Sequence, residues 1–120
     1  TDPVRHWRRI EFDKRERRFL VRDTLQCARE HEVEIHWHLA EGCAARAVGY
    51  AVQIDCAPVR LPLECPRQLE PPVVVVGREH PPLGWVSRGL GVKVPSPTIV
   101  CRGLAGAGSL ETRLQLVQSD

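Results

Sequence analysis

His36-x-His38 is the sharpest pairing of reactive side chains in this chain. Residues two apart on a strand point the same way, so both imidazoles would project from one face. Two imidazoles at that spacing can chelate a metal. Glu34 shares the face and Glu41 follows closely, which makes His36, His38 and Glu41 one candidate ligand set. A second constellation is basic. Arg5, Arg8, Arg9, Lys14, Arg15, Arg17, Arg18 and Arg22 crowd the start of the chain, offset in part by Asp2, Glu11, Asp13 and Glu16. On an extended segment Arg5, Trp7 and Arg9 share one face, while His6, Arg8 and Ile10 share the other. An aromatic ring between two guanidinium groups can stack on a sugar or a base and grip a carboxylate or sulfate. Arg5, Trp7, Arg9 and, further on, Arg88 are therefore the candidate substrate-contacting residues.

Other chemistries lack their parts. Ser87 follows Gly84-Trp85-Val86, which is not the G-x-S-x-G nucleophile elbow. Cys43 beside Gly42 has no base at a recognisable spacing. Gly103-x-x-Gly106-x-Gly108 lacks the strand-to-helix setting of a phosphate loop. No residue is assigned a catalytic role, and no cofactor is implied.

These side chains need strands to position them. Glu32–Leu39 alternates polar and apolar without a break, placing Val33, Ile35, Trp37 and Leu39 on one face. Val4–Phe12 and Arg17–Asp23 flank the polar turn Asp13-Lys14-Arg15-Glu16 and predict a hairpin. Ala44–Ile54 reads as one strand, with Val48, Tyr50, Val52 and Ile54 in phase. Val59–Leu63, Val73–Val76, Val86, Val92–Val94, Thr98–Cys101 and Thr112–Val117 complete the set. Thr24–Glu30 is a weak helical window, and Leu104–Ser109 reads as a mobile Gly/Ala tip. Ten prolines leave no room for a long helix. The expected fold is all-β: one antiparallel, jelly-roll-like β-sandwich over residues 1–120, with eight to ten short strands and little or no helix. The expected core is Phe19, Val21, Val33, Ile35, Trp37, Val74, Val76, Trp85, Val100 and Leu114.

Composition narrows the partners. The 120 residues carry a net charge of only +2, and 17 basic residues include just two lysines, Lys14 and Lys93. Arginine in that excess suits an acidic polysaccharide, although a GC-rich genome produces the same bias. The offset charge argues against nucleic acid, and no apolar run is long enough for a membrane span. Five cysteines, Cys27, Cys43, Cys56, Cys65 and Cys101, lack zinc-ribbon spacing. Buried free thiols are expected, with Cys56–Cys65 as an alternative disulfide. The chain starts at Thr1 and contains no Met. That predicts a processed chain or a piece of a longer one, and leaves localisation undetermined.

Two resemblances add to this reading. The string His36-Trp37-His38-Leu39-Ala40-Glu41-Gly42 is similar to the first cupin motif. That motif needs three or four residues between the second His and the Glu, where this chain has two. The second cupin motif is not found. The broader resemblance is carried by several segments in order: Val4–Ile10, Arg18–Leu25, Glu34–Ala40, Pro82–Ser87 with Gly89-Leu90-Gly91, Lys93–Val100 and Leu110–Leu114. Together they resemble the C-terminal β-region of the heparinase II/III-like polysaccharide lyases. The resemblance implies a C-terminal fragment of a multidomain chain that follows an N-terminal (α/α) toroid. Such parents cleave uronic-acid polysaccharides by β-elimination, with most catalytic groups in the toroid cleft. A further His at the start of the β-region, and metal ligands there in some members, belong to stretches without a match here. The domain would support the toroid and contact an acidic polysaccharide. A free-standing carbohydrate-binding module and a cupin-like metalloprotein remain the alternatives.

Overall fold

Alternation over residues 31–38 and around the turn at 13–17 builds the two sheets of the domain. The computed structural model describes residues 1–118. Its described residues form fifteen strands. They are β1 (Arg5–Asp13), β2 (Arg18–Gln26), β3 (His31–His38), β4 (Ala44–Val48), β5 (Ala51–Cys56), β6 (Val59–Arg60), β7 (Leu63–Glu64), β8 (Val73–Val76), β9 (Arg78–Glu79), β10 (Pro82–Leu83), β11 (Trp85–Gly89), β12 (Val92–Pro95), β13 (Pro97–Ala105), β14 (Gly108–Gln115) and β15 (Val117–Gln118). The excess over the expected number comes mainly from strands of two residues. Among the described residues there is no helix.

The larger sheet runs β1-β2-β14-β7-β5-β6-β15, with β4 also paired to β5, and the smaller runs β3-β13-β8. All pairings are antiparallel. Two ribbons, β9–β10 and β11–β12, stand apart from both sheets. Ile35, Ile99, Cys101 and Ala105 of the smaller sheet pack with Val52, Ile54, Leu63 and Leu110 of the larger one. This sandwich-like core removes apolar surface from water, which is the main driving force for folding.

The first hairpin forms as its sequence dictates. Asp13 Oδ1 accepts hydrogen bonds from the backbone N–H of Arg15 (3.0 Å) and Glu16 (3.1 Å), and Arg17 closes the turn at φ 54°. Asp is suited to such turns because its short side chain reaches the backbone two or three residues on. The expected strand 44–54 is instead a hairpin. Gly49 adopts φ +61°, which turns the chain between β4 and β5. Cys43 and Cys56 close its open end with a disulfide, their Cα atoms 4.5 Å apart. Cys56 therefore does not pair with Cys65. Cys65 instead lies against Cys101, sulfur to sulfur 3.0 Å, inside the core. Its hydrogen bond with Cys101, reinforced by burial, pushes the Cys65 thiol up.

Two corrections concern the expected core and one the expected loop at 104–109. Val76 is 55 % exposed while Val75 is 9 % exposed. Val74 does pack on the core, but Val75 faces the other way, toward Pro82, Leu83 and Val100. The segment covering that outer face buries a position that simple alternation assigns to solvent. Trp85 is only half-buried and lies outside the core cluster. Its indole N–H donates to the Arg78 carbonyl at 2.8 Å, and Lys93 Nζ sits 4.1 Å from a ring centroid. The tight element beside it is Gly84, which is buried at φ +84°. A Cβ there would lie 2.7–2.8 Å from backbone atoms of Val75, Val76 and Gly77. The Gly84 carbonyl also accepts from the N–H groups of Gly77 and Ser96, both at 2.9 Å. Finally, 104–109 is a corner rather than a loose tip. β13 runs through buried Ala105, and β14 starts at Gly108 in the opposite sheet. Val21, Ile35 and Val100 are buried as expected, and Phe19, Val33, Trp37 and Leu114 are half-buried.

Candidate functional site: the β1–β2 hairpin

β1 is an edge strand, and all nine of its residues are exposed. Its outer face carries Arg5, Trp7 and Arg9, as alternation requires. Trp7 is 52 % exposed. In register, Trp7 stands beside Thr24 and then Ser109, while Arg9 stands beside Arg22 and then Glu111. Arg22 reaches Glu111 through two hydrogen bonds of 3.1 and 3.2 Å, and Arg9 meets Glu11 at 3.2 Å. Arg18 and Arg113 belong to the same face, as does Asp13. Five arginines thus oppose three carboxylates across the outer side of β1, β2 and β14, leaving a positive surface around one aromatic ring.

The inner face holds a network that sequence patterning alone does not single out. Asp23 is 3 % exposed. Its carboxylate accepts from His6 Nε2 at 2.7 Å, from Arg8 Nε at 2.7 Å and from Arg8 Nη2 at 3.2 Å. Burial pushes the Asp23 carboxyl up, but the hydrogen bonds and charges of Arg8 and His6 outweigh it and hold it below its ordinary value. The Arg8 guanidinium lies 5.0 Å over the Trp37 ring, which links the hairpin to β3 in the second sheet. The network orients a partly exposed imidazole with a buried carboxylate behind it. The available signal was register: outward from the turn, Arg8 falls opposite Asp23. Nearer the turn, Phe12 and Phe19 stack at 4.4 Å, yet Phe12 and Ile10 stay exposed.

Arg88 is elsewhere, on β11. Its Nε and Nη2 each meet a Glu41 carboxylate oxygen at 2.6 Å. The Arg88 guanidinium hydrogen-bonded to Glu41 holds that carboxyl below its ordinary value. Glu41 is therefore engaged away from the histidines. His36 Nε2 meets Glu34 at 3.0 Å, His38 Nδ1 meets Thr98 Oγ1 at 3.1 Å, and the two imidazole rings sit edge to face with centroids 5.8 Å apart. The structure does not draw His36, His38 and Glu41 around one point. A groove of about 990 Å³ also lies away from the predicted residues. It sets Glu32, Glu34 and Glu70 beside Arg67 and Arg102, with Arg67 stacked 5.3 Å over Tyr50. Three carboxylates in that wall do not favour a polyanion.

No curated protein and no solved structure matches the chain. A family model described as Heparinase II/III-like, C-terminal, does match, over residues 1–108. That span contains the whole β1–β2 hairpin, both ribbons and β13, and it covers most of the chain. By its sequence the chain belongs to the heparinase II/III-like C-terminal domain family.

Proposed function

We propose that residues 1–120 are a non-catalytic β-sandwich domain of a heparinase II/III-like polysaccharide lyase. The domain supports a helical (α/α) catalytic domain and contacts the acidic polysaccharide. The observation that carries this reading is the β1–β2 hairpin, whose nine-residue first strand is exposed on both faces along its whole length. The inner side offers apolar Ile10 and Phe12 for docking on the helical domain. The outer side offers Arg5, Trp7 and Arg9 to a sugar chain bearing carboxylates or sulfates. Arg88, tied to Glu41, would act at most as a secondary contact. A free-standing binding module would use coplanar exposed aromatics, but Trp37 and Trp85 are both half-buried and stacked by cations.

The test is calorimetric titration of the protein with heparin, heparan sulfate and alginate, using a neutral glucan as control. Acidic chains should bind and the glucan should not. Trp7→Ala should weaken binding about tenfold, the equivalent of ~1.4 kcal/mol. Acidic chains binding equally well to a variant lacking Arg5, Trp7 and Arg9 would remove this face from the mechanism.

A further inference from the structure

Asp2, Cys27 and His31 meet where the N-terminal segment crosses the connection between β2 and β3. One donor atom from each lies within 4.8 Å of the others, and all three residues are partly buried. We propose that these three side chains hold a divalent metal ion of the zinc class. Thiolate, imidazole and carboxylate are the donors that such an ion takes in tetrahedral sites, with a water completing the shell. Metal–ligand bonds of that kind require donor atoms roughly 3.3–3.8 Å apart. The three donor atoms, all within 4.8 Å of one another, would close to that spacing around a bound ion.

The surroundings suit a ligand set. Asp2 is fixed by the backbone N–H groups of Ala28 (3.0 and 3.1 Å) and Arg29 (2.9 Å), which orient its carboxylate from behind. These contacts fix the carboxylate beside His31 and Cys27. His31 Nε2 points at Asp2 Oδ2 from 2.7 Å. Metal entry would replace the His31–Asp2 hydrogen bond, the Nε2 proton passing to solvent or to Nδ1 of the same ring, and Cys27 would bind as thiolate with its proton released to solvent, with no change of oxidation state. Cys27 is available for this role. Cys43 and Cys56 are joined to each other, and Cys65 and Cys101 are paired inside the core. The ion would pin the open end of the β1–β2 hairpin, just beyond its last register pair, Arg5 with Gln26.

The probe is cobalt(II), added to protein purified without an affinity tag. One equivalent should bind and produce a thiolate-to-cobalt charge-transfer band. Cys27→Ser should abolish the band, and Asp2→Asn should weaken binding on the order of tenfold. Asp2→Asn retains an oxygen for the Ala28 and Arg29 N–H groups. Circular dichroism would verify that both variants fold. His36→Ala with His38→Ala should leave the band unchanged. A wild-type protein without the band, or a band that survives in folded Cys27→Ser, would overturn the assignment.

Discussion

β1 and β13 are both nine residues long, and they meet opposite fates. β13 is the centre of a three-stranded sheet, and its first five residues, Pro97–Cys101, are all buried. Ile99 and Cys101 face the core, while Thr98 and Val100 lie on the side where β10 borders the sheet. Its composition agrees: strands covered on both faces read as near-continuous apolar runs. β1 is an edge with a charged residue at most positions, and none of its side chains is buried. Charge on an edge strand discourages pairing with foreign strands. The stability of the fold and the proposed recognition thus fall on different strands, so substitutions should be able to separate them.

The largest effect is expected at Ile99, which is fully buried. Ile99→Ala should cost about 2–5 kcal/mol in urea unfolding. A loss under about 1 kcal/mol would mean that β13 is not the centre of the fold. Asp23→Asn comes next, at about 2–3 kcal/mol, because it leaves Arg8 and His6 without their buried counter-charge. The same group sets a pH signature. Its folded pKa is depressed, so its stabilisation is present above the unfolded value near 3.9 and is lost as pH falls through the folded value. The Asp23→Asn variant should therefore lose less stability than wild type between about pH 4 and pH 2, measured by thermal melts. Gly84→Ala should cost at least about 1–3 kcal/mol from its backbone conformation, with the overlap against residues 75–77 added. The smallest change belongs to β1. Trp7→Ala should shift stability by less than about 0.5 kcal/mol while weakening polysaccharide binding. If Trp7→Ala instead destabilised the fold as Ile99→Ala does, the separation between the two strands would be gone.

Much of this arrangement was legible because period-two patterning survives wherever only one face is covered. Val33, Ile35 and Trp37 point inward and His36 and His38 outward, as their alternation requires. The reading failed where a local signal was overridden by something further along the chain. Val48, Tyr50, Val52 and Ile54 keep perfect phase across Gly49, yet the glycine reverses the chain. Val75 is buried by the segment that follows it, a long-range covering that no window around residues 73–76 contains. Cysteine connectivity is likewise set by which strands become neighbours. The pairing of Cys43 with Cys56 follows from the β4–β5 register, one step beyond Ala44 with Asp55. At the candidate site, the outer triad was visible as spacing, whereas the Asp23 network required knowing the hairpin register.

β14 lies between β2 and β7, so the first hairpin is joined to the rest of its sheet by a strand that comes long after it in sequence. Arg22 and Glu111, bonded to each other in the finished domain, are 89 residues apart. On a ribosome the hairpin emerges before β14 and then waits, with that edge of β2 unpaired, until residues 108–115 arrive. Pairings this distant are slow to form. The arginines and acids on its outer face then guard a nascent chain as well as a finished surface. A stop placed before Gly108 would release a protein whose candidate recognition element lacks the strand that joins it to its sheet.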